Sequence, residues 1–289
     1  MTAKEFYNGL FEKIKDRKDI EVKKETLKYK KGKFDFVRIA SKEINPTDKI
    51  ILIRAGVHGE EIAGPLTFFN FINEIIEKIH DAGLKFIFYP LVNPSGFETG
   101  KRFNIDDDEG LYGNDDFLYY ELKDGSIVDG LHKKIKDFVK WYWSSNKEFK
   151  SIFPYETAVM HKFIKADPLS QVKGFIDLHQ DYLIEDAGLV AYHYSFGDFS
   201  VYKNIVERIE KIVPIYKNKK IDIGNESSAK TDNNGFTTRH DGTLSDLLYR
   251  LGVKYCVVAE TTGKTPPEKA MQVNTEWIDG IINLVKKEK

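Results

Sequence analysis

One segment, residues 51–66 with the sequence ILIRAGVHGEEIAGPL, constrains the fold more than any other part of the chain. It begins with an apolar run typical of a buried strand, breaks at Gly56, and continues with apolar side chains at helical spacing. A second apolar run starts at Lys85. A strand, a helix and a strand in this order indicate a right-handed crossover in a sheet with parallel pairs, which places the chain in the α/β class.

The turn inside this segment presents His58 and Glu61. A helix that starts here can bring two side chains three residues apart to one ion, so the pair is a candidate for half of a zinc site. Zinc binds imidazole nitrogen and carboxylate oxygen at about 2.0–2.2 Å, and a catalytic site has three protein ligands and one open position. The pair alone is also compatible with a solvated histidine and a glutamate that caps the helix.

Length and charge limit the class of protein. The chain has 289 residues, 44 Lys and Arg and 45 Asp and Glu, for a formal charge of −1. We expect a single catalytic domain over residues 1–289, with an N-terminal helix and β-hairpin in residues 1–45 as part of it. Neither a basic surface for nucleic acid nor an acidic tail dominates, so we expect no nucleic-acid partner. The sequence carries no signal for the oligomeric state.

The single cysteine, Cys256, lies in the apolar run VKYCVVAE and is expected to be a buried thiol on a strand. The charged N-terminus lacks the apolar core of a signal peptide. No stretch approaches the ~20 apolar residues of a membrane span. These features predict a cytoplasmic protein with no membrane contact.

Periodicity predicts the remaining elements. Predicted strands are a hairpin from residues 21 and 34, then 49–54, a run from 85, 172–178, a run from 188, and 253–259. Predicted helices are 3–16, 61–80, 127–143, 155–164, 199–213, 244–251 and a last helix from about 268 or 273 to 286. Two polar stretches, 93–130 and 217–243, are predicted as long loops, which in compact domains are usually functional or disordered.

Two predicted strands end in residues with catalytic chemistry, and strand ends are where open α/β sheets collect their active sites. One strand leads to His179 and the other to Glu260. Four short motifs follow in order along the chain: HGEE at 58–61, NPSG at 93–96 with a following Arg102, DLH at 177–179, and GVKYCVVAETTG from 252. In these motifs the chain resembles the zinc metallocarboxypeptidase superfamily, which includes the succinylglutamate desuccinylase and aspartoacylase deacylases.

The resemblance implies a three-layer sandwich with a central twisted, mixed and largely parallel sheet between helices. It also implies one zinc ion held by His58, Glu61 and His179, with Glu260 as general base and then general acid. Arg102 would stabilise the oxyanion that develops during amide hydrolysis. Arg102 could instead, or in addition, neutralise the acidic run at 106–109.

The chain departs from the resemblance at the substrate-binding end. Enzymes of the superfamily hold the substrate carboxylate with an Asn-Arg pair, and the best counterpart here is Asn114 followed by Asp115. A carboxylate cannot clamp another carboxylate, so Arg239 or Arg54 could substitute. Asn114 and Arg239 are therefore the candidate substrate-binding residues. The tyrosine expected on the later loop has no counterpart either.

The safest functional prediction is zinc-dependent hydrolysis of an amide bond, most simply by a metallocarboxypeptidase-like peptidase. The substrate would be a peptide or an N-acyl amino acid, and an N-acyl amino acid deacylase is the alternative within the same chemistry. A non-catalytic binding protein that retained the fold is the alternative from another class. Two further questions stay open at this point: whether Asp177 contacts a ligand histidine, and whether the 97–126 loop acts as a lid.

Overall fold

A computed structural model of the chain describes residues 1–107, 109–110, 118–131, 135, 137–144, 154–182, 184, 187–222 and 228–288. The strands are β1 (Ile20–Tyr29), β2 (Gly32–Ser41), β3 (Ile50–Ala55), β4 (Lys85–Tyr89), β5 (Leu118–Leu122), β6 (Ile127–Asp129), β7 (Phe138–Trp143), β8 (Val172–Asp181), β9 (Ala191–Ser195), β10 (Lys220–Asp222), β11 (Ser228–Lys230), β12 (Phe236–Thr237) and β13 (Tyr255–Thr262). The α-helices are α1 (Ala3–Ile14), α2 (Ala63–Asp81), α3 (Pro94–Thr99), α4 (Tyr155–Ala166), α5 (Lys203–Ile209), α6 (Leu244–Arg250) and α7 (Pro267–Lys287).

The centre of the molecule is an eight-stranded sheet with the order β1-β2-β4-β3-β8-β13-β9-β12. The four strands β4, β3, β8 and β13 lie next to one another and run parallel. The hairpin β1-β2 extends one side of this parallel block in antiparallel fashion, and β9 does so on the other side. The predicted mixed and largely parallel sheet is confirmed.

The central sheet is covered on both faces, which explains the unbroken apolar runs of its parallel strands. In β3, Ile51 and Ile53 pack into a core with α1, α2, α5 and α7, whereas Ile50 and Leu52 pack into a second core on the other face. The second core includes residues of α4, α6 and a small sheet formed by β5, β6 and β7. The chain is therefore the predicted three-layer sandwich.

The first turn of α2 differs from the sequence prediction. The helix starts at Ala63 rather than Glu61, because the Ala63 amide donates to the Gln180 side chain at 2.9 Å and Glu61 belongs to the preceding turn. In that turn the Glu61 amide donates to the His58 carbonyl at 3.3 Å. A tight turn, and not a helix, therefore brings the two side chains together.

The predicted helix at 127–143 is wrong, since the described part of this range contains the strands β6 and β7. The aromatic residues Trp141, Tyr142 and Trp143 pair with β5 in an antiparallel ladder. Aromatic side chains favour such pleated, half-buried surfaces, and this preference outweighs the apparent helical spacing. β6 also lies in the stretch 93–130 that was predicted as a long loop, and the same stretch contains α3 and β5.

Two further predictions need correction. The predicted helix at 199–213 is a 3-10 turn at Phe199–Tyr202 followed by the short α5, and the predicted loop at 217–243 contains β10, β11 and β12. Cys256 is buried and free, as predicted. No helix among the described residues is long and apolar enough to cross a bilayer.

Candidate active site

The candidate site lies where the carboxyl ends of β4, β3, β8 and β13 meet at one edge of the sheet. His58 follows β3 after a turn at Gly56, whose φ of 65° suits glycine. His179 lies on β8 and Glu260 on β13, and the two residues are direct partners in the parallel register. Because partners on neighbouring strands point to the same face, the register places the histidine beside the glutamate.

Three side chains converge on one point at this edge: His58, Glu61 and His179 each offer one atom, and these atoms lie within 4.8 Å of one another. The His58 Nδ1 atom is 2.6 Å from Glu61 Oε1, and the His179 Nδ1 atom is 2.8 Å from Glu61 Oε2.

The arrangement has the donor atoms for a metal ion, and one pair of them, His58 Nδ1 and Glu61 Oε1, also lies within hydrogen-bonding distance. The His179 Nδ1 atom is buried and makes no hydrogen bond among the described residues, although a carboxylate oxygen is close by. A buried ring nitrogen without a hydrogen bond, close to a second imidazole and a carboxylate, is available as a metal ligand. Two imidazole nitrogens and a carboxylate oxygen are a donor set that zinc prefers.

A buried ion pair fixes the orientation of His179 by contacting the ring nitrogen that does not face Glu61. The Nε2 atom of His179 is 3.3 Å from Asp177 Oδ2, so Asp177 does contact a candidate ligand histidine. Asp177 in turn accepts from the Arg54 Nε at 3.0 Å and forms an ion pair with the same guanidinium. Carboxylates behind ligand histidines fix the ring and raise its basicity, which directs the other nitrogen to the metal.

Charge balance in the cluster also suits a cation. Burial lowers the pKa of His58. Burial has the same tendency at His179, but the neighbouring Asp177 and Glu61 carboxylates overcome it and raise the pKa of His179 well above its usual value. Although burial opposes the charged form of Glu61, the two histidines hold its pKa well below the usual range. The cluster is thus a buried site where a carboxylate stays ionised and positive charge is stabilised.

Arg102 reaches the same cluster from the loop after α3. Its Nη1 atom is 3.4 Å from both Glu60 Oε1 and Glu61 Oε1, and about a third of its side chain is exposed. Its backbone carbonyl accepts from the Gly59 amide at 3.1 Å and from the Asn93 side chain at 3.2 Å. The NPSG motif therefore holds Arg102 against the HGEE motif.

Gly59 allows this close approach. A Cβ atom at residue 59 would lie 2.0 Å from the Gly96 carbonyl carbon and 2.4 Å from the Lys101 oxygen. Both contacts are with backbone atoms, which cannot move aside as a flexible side chain could. The glycines of the two motifs thus serve to bring two segments of backbone together.

Glu260 faces the pocket in front of the candidate metal ligands. Its side chain is buried, and its Oε2 atom makes no hydrogen bond to any residue that the structure describes. Burial raises the pKa of Glu260 well above its ordinary value. A buried carboxyl with one unpaired oxygen directed into a cleft has the properties of a proton acceptor and donor.

The far end of the pocket is built from different elements. Arg239, in the loop after β12, lines the pocket with a side chain that is 42% exposed, and its Nε is 3.4 Å from Asp241 Oδ2. Arg54 also lines the pocket, but its side chain is 2% exposed and is held by Asp177. Of the two substitutes considered for the substrate clamp, only Arg239 can reach a ligand without breaking a buried ion pair. Asn114 and Asp115 lie outside the described residues.

Three residues that line the pocket, Asp181, Tyr192 and Tyr194, were not identified from the sequence. Tyr192 and Tyr194 alternate along β9 and line the pocket, and the Tyr192 hydroxyl donates to Asp181. The alternation in AYHYS could have placed both tyrosines on one face, but it does not reveal which face meets the pocket. That depends on the antiparallel pairing of β9 with β13, in which Tyr192 is the partner of Glu260.

Comparisons with known proteins agree with the fold and with the part of the candidate site that lies before residue 121. A sequence model of the zinc carboxypeptidase family matches residues 22–121, a segment that contains His58, Glu61, Asn93 and Arg102. No curated protein matches the chain.

Solved structures with low sequence identity share the fold. A candidate metallopeptidase from Shewanella baltica OS155 is 20% identical over 97% of this chain and 91% of its own, with a TM-score of 0.67. A metallo-carboxypeptidase from Burkholderia cenocepacia is 12% identical over 96% of this chain and 68% of its own, with a TM-score of 0.59. Bovine thrombin-activatable fibrinolysis inhibitor, solved with tick carboxypeptidase inhibitor, is 14% identical over 99% and 97%, with a TM-score of 0.56. The predicted resemblance to zinc carboxypeptidases is confirmed.

Proposed function

We propose that this protein is a zinc-dependent hydrolase that cleaves an amide bond in the manner of a metallocarboxypeptidase. The observation that carries the proposal is the convergence of His58, Glu61 and His179 beside the unpaired carboxyl oxygen of Glu260. The first three residues would hold one zinc ion, which supplies a Lewis acid and lowers the pKa of water when bound.

The protein's own groups have distinct roles in this proposal. Glu260 takes a proton from the attacking water at Oε2 and delivers it to the leaving nitrogen, since its raised pKa suits a group that must both accept and donate. Arg102 stabilises the negative charge that develops on the substrate carbonyl oxygen. A fixed donor of this kind contributes roughly 10²–10³ in rate.

Arg239 is the proposed anchor for the substrate carboxylate. Its exposed guanidinium lines the same pocket as Glu260, and among the described residues its only ion-pair partner is Asp241. An arginine can bind a carboxylate through two parallel hydrogen bonds. Asn114 remains a proposed substrate contact on the basis of the sequence. We also propose that residues 1–289 act as one catalytic domain, because both halves of the site depend on one continuous sheet.

The test combines metal analysis with a substrate panel. Protein purified without chelator should contain about one zinc per chain, and His58→Ala should lose it. The zinc-loaded protein is then assayed on peptides with a free C-terminus, the same peptides with an amidated C-terminus, and N-acyl amino acids.

Cleavage of the free peptides alone supports the peptidase assignment, and cleavage of only the acyl amino acids supports a deacylase. Zinc binding with no hydrolysis of any substrate would favour a binding protein. Protein that binds no zinc at His58 would overturn the proposal.

A further inference from the structure

Glu156 is a buried carboxylate that the proposed reaction does not use. It lies in the first turn of α4, is 3% exposed, and is not part of the pocket walls. Its Oε2 atom accepts from the Tyr29 hydroxyl at 2.7 Å. Its two oxygens lie 3.1 and 3.2 Å from the side-chain nitrogen of Asn104.

Asn104 transmits this contact to the loop that carries Arg102. Its side-chain nitrogen donates to Glu156, and its side-chain oxygen accepts from the Asp106 amide at 2.9 Å. The next residue, Ile105, donates its amide to the Ser95 hydroxyl at 3.1 Å. The buried side chain of Asn104 therefore fixes the path of the loop just after Arg102.

Arg102 is held on its other side by the two donors to its carbonyl, Gly59 and Asn93. The backbone at residues 102–104 is thus fixed at both ends, with only Phe103 between the two anchors. Phe103 packs against Gly110, where a Cβ atom would lie 2.3 Å from the ring. A shift of Asn104 would therefore move the base from which the Arg102 guanidinium extends.

We propose that Glu156 is a positioning residue for Arg102 and acts through Asn104. This inference rests on the proposed function, in which Arg102 stabilises the oxyanion. Oxyanion stabilisation depends on donors that are already in place when charge develops, so a small displacement of Arg102 reduces the rate without weakening substrate binding equally.

The chemistry of Glu156 supports a specific role. Burial raises the pKa of its carboxyl to about 7, so the fold retains an acid where an apolar side chain would cost less. The groups that face it are the donors Tyr29 and Asn104 and the nearby carboxylate of Asp107. A glutamine here would keep one acceptor oxygen and turn an amide donor toward groups that themselves donate.

A double-mutant cycle tests the proposal. Glu156→Gln is expected to lower kcat about 5- to 20-fold with KM changed less than about twofold, the pattern of lost transition-state stabilisation. In the Arg102→Ala background the same substitution should change kcat less than about twofold, because the residue through which it acts is gone. Equal losses in both backgrounds would overturn the proposal.

Asp167→Asn is the matched control. Asp167 caps the other end of the same helix and accepts from the Tyr89 hydroxyl at 2.5 Å and the Arg38 Nε at 2.8 Å. Its loss should lower stability and leave kcat per folded molecule unchanged. If Glu156→Gln fails to fold, Tyr29→Phe removes one donor to the same carboxylate and should give a smaller loss of kcat in the same direction.

Hydrogen exchange supplies a readout that does not depend on activity. Amides of residues 101–107 should exchange faster in Glu156→Gln than in wild type and in Asp167→Asn, with zinc content unchanged. If wild type hydrolyses no substrate, the proposed function fails, and the exchange measurement alone decides whether Glu156 orders the loop. Unchanged exchange at 101–107 would refute the positioning role.

Discussion

The two ends of the candidate active site are built in different ways. At the metal end, His179 and Glu260 are placed by the register of neighbouring strands, and His58 and Glu61 by a turn packed against a second backbone segment. At the substrate end, Arg239 extends from a loop and its side chain is partly exposed. The candidate metal end is therefore built into the buried edge of the sheet, whereas the candidate substrate end depends on a partly exposed loop residue.

In the proposed function, this difference separates the residues that carry out the reaction from the residues that select the substrate. Buried ligands on strands give the precision that metal binding and proton transfer require. Loop residues at the rim can be replaced at little cost in stability, so they are the natural place for specificity to change.

Replacing Glu260 by glutamine should nearly abolish activity. The amide cannot accept a proton, and general acid–base catalysis contributes about 10²–10⁴ in rate. We expect kcat to fall about 1,000-fold or more in steady-state assays, with zinc content unchanged by metal analysis. The control is Glu77→Gln, an exposed carboxylate on α2 that should have wild-type kcat. Activity above about a tenth of wild type would exclude Glu260 as the proton carrier.

Replacing Gly59 by alanine should destabilise the metal end. The added Cβ would overlap the backbone of residues 96 and 101, and relief of such overlap costs about 1–3 kcal/mol or more. Denaturant unfolding should show a loss of about 3 kcal/mol in the free energy of unfolding. In the control, Gly125→Ala, the new methyl group meets open space at a φ of 81° and should cost about 1 kcal/mol. Equal losses would show that the approach of the two motifs carries no special constraint.

Replacing Arg239 by methionine should affect binding and leave chemistry intact. Loss of a charged hydrogen-bonding partner costs about 1.5–3 kcal/mol, which corresponds to a roughly 10- to 160-fold increase in KM, with kcat within about threefold. Arg239→Lys should recover part of the loss, and Arg208→Met, a surface arginine paired with Glu276, is the control. A fall in kcat with unchanged KM would place Arg239 in the chemistry and contradict the division between the two ends.

The smallest effect is expected on the pH dependence of stability, at His193, a buried residue that does not line the pocket. It lies on β9 between Trp277 and Phe236, and burial lowers its pKa to about 3 from an unfolded value near 6.5. Below pH 6.5 the unfolded chain binds a proton that the folded chain does not, so stability present above this pH is lost as the pH falls toward 3. The slope is at most about 1.4 kcal/mol per pH unit.

His193→Phe should remove this contribution. With chelator present in all samples, the free energy of unfolding of the variant should fall less steeply than that of wild type between pH 6.5 and 5. Parallel curves for the two proteins would show that His193 does not account for the acid sensitivity.

Several local features of the fold are evident from the amino-acid sequence alone. Apolar runs predicted the parallel strands, helical spacing predicted α1, α2, α4 and α7, and the HGEE turn predicted a histidine and a glutamate that share one point. These signals are local, because a strand, a helix or a turn is specified by residues close together in the chain. Because these signals are local, they predicted a helix at 127–143, where the aromatic residues of β7 instead form a strand by pairing with the distant β5.

The contacts between groups that are distant in sequence depend on strand pairing across the whole sheet. The parallel register sets His179 beside Glu260, and the antiparallel pairing of β9 brings Tyr192 to the same edge. The structure also gives a reason to prefer Arg239, the predicted substrate-binding arginine, over the alternative Arg54, since Arg54 is held in a buried ion pair with Asp177. Pairing and ion-pair partners are chosen by packing across the whole sheet, and such long-range choices leave no periodic signal in the sequence.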